Sequence, residues 1–273
     1  PLFLILFFNY KTKFILRISG FPKITFLRKM FWVISNKKLD KIFCPTLNTK
    51  TMLIKENIFY ENKLFLINDP IIDVNKISEK KKLDFEPNYK WLKSKKFIVS
   101  IGRLSKQKNF IFLIENFKKI IEKKSDLHLV ILGEGEDRNI LEKAIRDANL
   151  KNKIFLLGQQ ANIYPFFNHC LFFVLTSEWE DPGFVILESM FSRSIVLSSD
   201  CDSGPKEIIK NGINGFLYKK KDKDDFFNKF ILILDLINKK KESKKIIHEG
   251  LMTCKNYSQF NHFNQIKNLL IKR

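Results

Sequence analysis

Two groups of residues have the types and spacing to do chemistry. The first is the loop Gly102-Arg103-Leu104-Ser105-Lys106-Gln107-Lys108-Asn109, which follows the apolar run Phe97 to Ile101. Arg103 and Lys108 place two cations between a strand end and a helix start. That is a setting for a phosphate-bearing ligand: Arg offers a planar fork, Lys a mobile point charge, and the helix its free N–H groups. Read alone, both are explained as well by solvated surface charges. The second group runs from Ser177 to Glu188, with Glu178, Glu180, Asp181 and Glu188 in an otherwise apolar stretch. Pro182-Gly183 predicts a sharp turn into a helix, with Pro182 in its first turn. The amides of Gly183, Phe184 and Val185 would then face the strand ends as an anion site made without side chains. Glu180 precedes that turn and Glu188 follows it, so both can line one cleft while touching different parts of a ligand. The competing assignment has Glu180 or Asp181 capping the helix and Glu188 in water. The apolar neighbours Ile186, Leu187 and Met190 argue against a solvated face for Glu188. A third stretch, Asp200 to Glu207, reads as a short helix with Pro205 in its first turn and Ser203 or Asp202 as its N-cap. Asn211 to Gly215 reads as a helix stop and turn.

The elements that must position these residues alternate. Short apolar runs at 97–101, 127–132, 153–157, 171–175, 195–198 and 215–218 predict buried strands. Between them, 109–124, 137–150, 163–170, 183–192 and 204–210 predict helices, and helices continue to the C-terminus. In 109–124 only Asn116 interrupts the apolar stripe. Such strands joined by helices make a parallel sheet covered on both faces, whose ligands bind at the carboxyl ends of the strands. The chain therefore reads as α/β with two domains. Residues 97–257 form a complete domain. Residues 1–75 form an incomplete one, with strands at 13–18, 42–44 and 63–67 and helices at 24–35 and 46–59. The polar, lysine-rich segment 76–96, with Pro87, reads as a linker, and 258–273 as a helix returning to the first domain.

Composition narrows the classes. The chain has 273 residues, 45% of them hydrophobic and 29% charged, which is globular rather than disordered. Cys44, Cys170, Cys201 and Cys254 lie far apart with no CxxC pair. That excludes a disulfide scaffold and a zinc ribbon and suits a reducing cytoplasm. The longest apolar run, Leu2 to Phe8, is far below the roughly 20 residues of a membrane span. The first residue, Pro1, reads as the start of a chain whose true beginning is missing. Net charge is +20, unevenly spread: the first 50 residues carry ten bases and one acid, whereas residues 96–215 are nearly balanced, with 16 bases and 15 acids. A basic surface attracts phosphate groups, although a bias toward Lys, Ile, Asn and Phe codons produces the same excess. Helix-turn-helix, zinc-finger and RNP signals are lacking, so nucleic acid is not the expected partner.

Four stretches together, IGRLSKQKN (101–109), LVILGEGEDRNILE (129–142), EDPGFVILESM (180–190) and GPKEIIKNGINGFL (204–217), resemble glycosyltransferase family 4 across about 95–217. ILRISGFPK, FCPT and INDPIID resemble the later part of that family's acceptor domain. The resemblance implies the GT-B fold: two Rossmann-like domains, the N-terminal one incomplete here and the C-terminal donor-binding one complete. It implies a retaining transfer of a sugar from a nucleoside-diphosphate sugar to a lipid-linked or surface-polysaccharide acceptor, with no metal or other cofactor. Residue by residue, Arg103 and Lys108 match the pair that binds the donor diphosphate and Glu188 the acid that receives the ribose hydroxyls. Glu180 matches the acid near the transferred sugar. Gly102, Gly183, Phe184 and Val185 fall at donor-binding positions, and Gln159 and Gln160 in the region that holds the base. Arg103, Lys108 and Glu180 are the catalytic set. The departures are the absence of any His before His128 and of the family's N-terminal glycine-rich loop, so a non-catalytic nucleotide-binding fragment is the alternative. The expected location is cytoplasmic. Arg28, Lys29, Phe31, Trp32, Lys37 and Lys38 combine bases with aromatics as interfacial helices do, so the inner membrane face, with its anionic surface, is a further expected partner. Against this, Phe31 and Trp32 also fit a core.

Overall fold

The computed structural model describes residues 12–20 and 22–271, so the apolar run 2–8 lies outside the described residues. The chain forms two compact units: the described residues up to Pro70 together with those from Phe260 onward, and Ile71–Gln259. In the first, strands β1 (Ile15–Arg17), β2 (Lys41–Cys44) and β3 (Leu64–Leu66) make a parallel sheet in that order, connected by helices α1 (Phe26–Ser35) and α2 (Leu47–Lys55). Thr25 and Thr46 cap these helices, their hydroxyls accepting from the N–H of Arg28 and Thr49. The helix expected over 46–59 stops at Lys55 because Asn57 is left-handed, with φ 51°. Ile42, Cys44, Leu53 and Leu64 form the core with Trp32, whose ring lies 5.5 Å from that of Phe59.

The second unit carries a six-stranded, all-parallel sheet. It opens with α3 (Val74–Lys82), capped by Asp73, and a 3-10 segment over 87–94. Then follow β4 (Lys96–Ile101), α4 (Phe110–Lys123), β5 (Leu127–Leu132), α5 (Arg138–Asp147), β6 (Ile154–Leu156), α6 (Tyr164–His169) and β7 (Phe173–Leu175). The unit ends with α7 (Phe184–Phe191), β8 (Val196–Ser199), α8 (Pro205–Ile208), β9 (Phe216–Tyr218), α9 (Lys223–Asn238) and α10 (Lys240–Lys255). The last helix, α11 (Gln259–Ile271), joins the first unit from Phe260 onward, and His262 Nδ1 lies 2.8 Å from the Asn68 carbonyl oxygen.

Alternate strand residues feed two cores. Ile98, Leu129, Ile131 and Leu197 pack against α4 and α9, while Phe97, Val99, Val130 and Phe173 pack beneath α6 and α7. Each such side chain, fully buried, contributes about 1.5–3 kcal/mol. Asn116, which interrupts the α4 stripe, is buried but satisfied: its amide donates to the Phe112 carbonyl at 2.7 Å. The segment expected to be a linker differs most. Ile77, Phe85 and Leu92 are buried in the same core as β4, and the Phe85 ring stands edge-on to Phe166 at 5.0 Å. Its apolar residues are too widely and irregularly spaced among lysines to show a helical period, yet three anchors suffice to hold it.

Strand order fixes the site. From β4 the chain moves outward through β5 to β6, then crosses to β7 on the other side of β4 and moves outward through β8 to β9. The loops after β4 and β7 therefore leave adjacent strand ends in opposite directions. A crevice opens at such a reversal in a parallel sheet.

Candidate active site

Beside the reversal, the loops after β4 and β5 meet main chain to main chain. A Cβ on Gly133, at φ +138°, would stand 1.9 Å from the Gly102 carbonyl oxygen, and one on Gly135 2.3 Å from that of Leu104. The two loops are hydrogen-bonded directly: Gly102 N–H donates to Leu132 at 3.0 Å and Leu104 N–H to Glu134 at 2.9 Å. Above them lies an open pocket of about 400 Å³ whose lining includes Gly102, Arg103, Glu134, Gln159, Gln160 and Ile163. Arg103 is largely exposed. Its Nε meets Glu136 at 3.1 Å, and its two terminal NH₂ groups make no hydrogen bond among the described residues. Gln160 is pinned, its amide donating to the Leu157 carbonyl at 2.6 Å and lying 3.1 Å from the Tyr89 hydroxyl.

Lys108 does not line the pocket but runs beside it, since a Cβ on Gly102 would stand 2.8 Å from Lys108 Cε. Its ammonium meets Glu180 Oε1 at 2.5 Å, and Ser177 Oγ donates to the same oxygen at 2.5 Å. Lysine and glutamate side chains are only 13% and 4% exposed. This pair joins the loop after β4 to the loop after β7 across the reversal. Further ties run beside it. Asn109 donates to Glu178 at 2.7 Å, Gln107 to the Trp179 carbonyl at 3.0 Å, and Thr176 Oγ1 to the Lys108 carbonyl at 3.0 Å.

The turn into α7 differs from the expectation at one point. Gly183, at φ +81°, is the N-cap, and Pro182 stands outside the helix rather than in its first turn; neither Glu180 nor Asp181 is the cap residue. The N–H groups of Phe184 and Val185 open the helix, where no intrahelical acceptor exists. The α8 cap is Gly204, at φ +73°, rather than Ser203 or Asp202. Glycine is needed there because a Cβ would meet the Pro182 carbonyl oxygen at 1.9 Å. Asp202 pairs instead with Lys206 at 2.7 Å.

Glu188 sits in the second turn of α7, half-buried. The Tyr164 hydroxyl donates to its Oε1 at 3.3 Å. Burial pushes its carboxyl above the usual carboxylate range, against the opposing pull of the Tyr164 hydrogen bond and the Lys80 charge. Tyr164 follows Ile163, which lines the pocket. Three contributors had no assigned role in the sequence reading: the Gly133/Gly135 pair, Tyr164, and Tyr89 from the presumed linker. The glycines stood in the quoted stretch 129–142, whereas nothing in the sequence links Tyr164 to Glu188. His128 stacks on Phe155, and the His169 ring lies tilted against Phe85 with centroids 4.9 Å apart, as structural histidines do. Among the described residues no cluster of three His, Cys, Asp or Glu could hold a metal ion.

The family model described as Glycosyl transferases group 1 matches residues 81–250, more than half of the chain. The chain belongs to the group 1 glycosyl transferases. One relative is an uncharacterized glycosyltransferase of Methanocaldococcus jannaschii, 34% identical over 181 residues, covering 66% of this chain and 41% of that protein. Another is the N-acetylgalactosamine-N,N'-diacetylbacillosaminyl-diphospho-undecaprenol 4-alpha-N-acetylgalactosaminyltransferase of Campylobacter jejuni. It is 31% identical over 227 residues, covering 81% of this chain and 60% of that one. The chain thus spans about half the length of these curated relatives. Among solved structures, HepE of Anabaena in complex with UDP matches with TM-score 0.79 over 94% of this chain and 72% of that one, at 17% identity. That likeness is one of fold, and the group 1 chain is α/β with parallel sheets as GT-B glycosyltransferases are.

Proposed function

We propose that the protein moves a sugar from a nucleoside-diphosphate sugar to a lipid-linked or envelope-polymer acceptor, with retention of anomeric configuration and without a metal. The observation that carries this reading is the pocket over the ends of β4, β5 and β6, with Arg103 on its wall and the buried Lys108–Glu180 pair beside it. Breaking the sugar–phosphate bond leaves negative charge on the departing diphosphate and positive charge on the anomeric carbon. Arg103, Lys108 and the first N–H groups of α7 offset the former; such pre-set donors each supply about 2.7–4 kcal/mol in comparable sites. Glu180 faces the sugar, Glu188 takes the ribose hydroxyls through charge-assisted hydrogen bonds, and Gln159 and Gln160 border the base. The Campylobacter relative's named acceptor, an undecaprenol diphosphate glycan, and the UDP held by HepE support the two substrate classes.

The test is calorimetry with UDP, ADP and GDP, followed by turnover of the labelled sugar nucleotide of the best binder. Arg103→Ala weakens binding at least tenfold, about 1.4 kcal/mol, with little change in melting temperature because the side chain is exposed. Unchanged affinity refutes the assignment, and binding without turnover leaves the fragment reading. NMR of the product anomer checks retention.

An anionic membrane surface is the proposed location of the acceptor. On α1, Phe26, Leu27, Met30, Phe31, Val33 and Ile34 are exposed, beside Arg28. Trp32 takes no part, being buried in the first unit's core. Among the described residues no helix is long and apolar enough to cross a membrane. Flotation with vesicles containing phosphatidylglycerol is the check: the protein floats with them at low salt, and Phe26→Ser/Leu27→Ser abolishes it.

A further inference from the structure

We propose that Tyr164 is a positioning residue for ribose recognition: its hydroxyl holds Glu188 Oε1 so that Oε2 is presented to the vicinal hydroxyls of the nucleotide. This rests on the reading of Glu188 as the ribose acceptor. Tyr164 is itself 5% exposed, and its ring lies 6.4 Å from that of Phe167. Its helix α6 is fastened at both ends to α3: Asn162 Nδ2 donates to the Lys80 carbonyl at 2.9 Å and Asn168 Nδ2 to that of Lys81 at 2.9 Å. The phenol is thus a fixed donor on a clamped helix, aimed at a carboxylate on a neighbouring one. Among the described residues the Glu188 carboxylate makes no other hydrogen bond, so one oxygen is held and the other has no protein partner there. A single anchored oxygen sets the carboxylate plane, and a diol is bound well only when that plane is set beforehand.

The titratable or charged groups acting on Glu188 are Tyr164 from α6 and Lys80 from α3; α8 and α10, also packed on α7, add none. Both favour the ionised carboxylate that a diol requires, against burial. Removing the phenol oxygen therefore loosens the carboxylate and raises the pH at which it takes up a proton.

The experiment compares the tightest binder among UDP, ADP and GDP with its 2′,3′-dideoxy counterpart, by calorimetry on wild type, Tyr164→Phe, Glu188→Gln and the double variant. In wild type the ribose form binds at least tenfold more tightly. Tyr164→Phe lowers affinity for the ribose form about three- to tenfold and leaves the dideoxy form unchanged. In the Glu188→Gln background it has no further effect. The acid limb of ribose-form affinity moves to higher pH in Tyr164→Phe. Equal weakening of both ligands makes Tyr164 structural and overturns the proposal, as does unchanged affinity in a wild type that discriminates them. If wild type does not discriminate them, the Glu188 assignment fails and this inference falls with it. If that happens while Arg103→Ala still weakens binding, the diphosphate site survives the failure.

Discussion

Lys108→Met removes a charge at the strand reversal while keeping much of the aliphatic stem that lies along Gly102. Among the described residues the Glu180 carboxylate, 4% exposed, then keeps only the Ser177 hydroxyl. Stranding one member of a buried ion pair typically costs about 3–5 kcal/mol, because the remaining charge stays desolvated. For a unit of this size each kcal/mol lowers the melting temperature by about 2–4 °C, so the expected fall is about 6–20 °C. The assay is urea and thermal unfolding of wild type, Lys108→Met, Glu180→Gln and the double variant. Glu180→Gln in the Lys108→Met background removes the stranded charge and recovers at least ~2 kcal/mol. Strictly additive losses, or a Lys108→Met within about 0.5 kcal/mol of wild type, would show that the two side chains are not coupled in solution and that the buried pair is not what joins the loops.

Glu188→Gln separates stability from binding. The native carboxyl titrates above its unfolded value because of burial, so its ionised form costs stability at neutral pH and that cost vanishes as pH falls through the raised value. The variant should melt a few degrees higher at pH 7.5, gain nothing in acid, and bind nucleotide weakly. Gly133→Ala places a Cβ against the Gly102 carbonyl at φ +138° and should destabilise by at least ~2 kcal/mol, whereas Gly212→Ala, at φ +76° with open space around it, should cost about 1 kcal/mol. Thiol titration should find Cys44, Cys170 and Cys254 unreactive at pH 8 in the native protein, since burial pushes each thiol up to about 12, and reactive in guanidinium chloride.

Much of this arrangement was legible in the sequence because it is local. Strands such as Phe97–Ile101 and Leu127–Leu132 are short apolar runs closed by glycine, and the stripe of α4 repeats at helical spacing. The loops that carry Arg103 and Glu180, and the helix that carries Glu188, were legible for the same reason. What could not be read depends on strand order. Lys108 and Glu180 are 72 residues apart, and only the crossing from β6 to β7 brings their loops together. The Tyr164–Glu188 contact joins two helices across 24 residues of sequence. The 76–96 segment misled because its lysines outnumber its anchors. Caps were misassigned where glycine displaced the polar residue beside it: Gly204 stands where Ser203 or Asp202 was expected, for the close approach of the Pro182 carbonyl leaves no space for a side chain.

A pocket base built where Gly133 meets Gly102 offers mutation almost no handle. Exchanging those positions breaks the seat rather than reshaping it, so any change in what the pocket holds has to run through the rim, at Glu134, Gln159 and Gln160. On the proposed function, descendants of this chain would keep one way of gripping a diphosphate while trading bases and sugars around it.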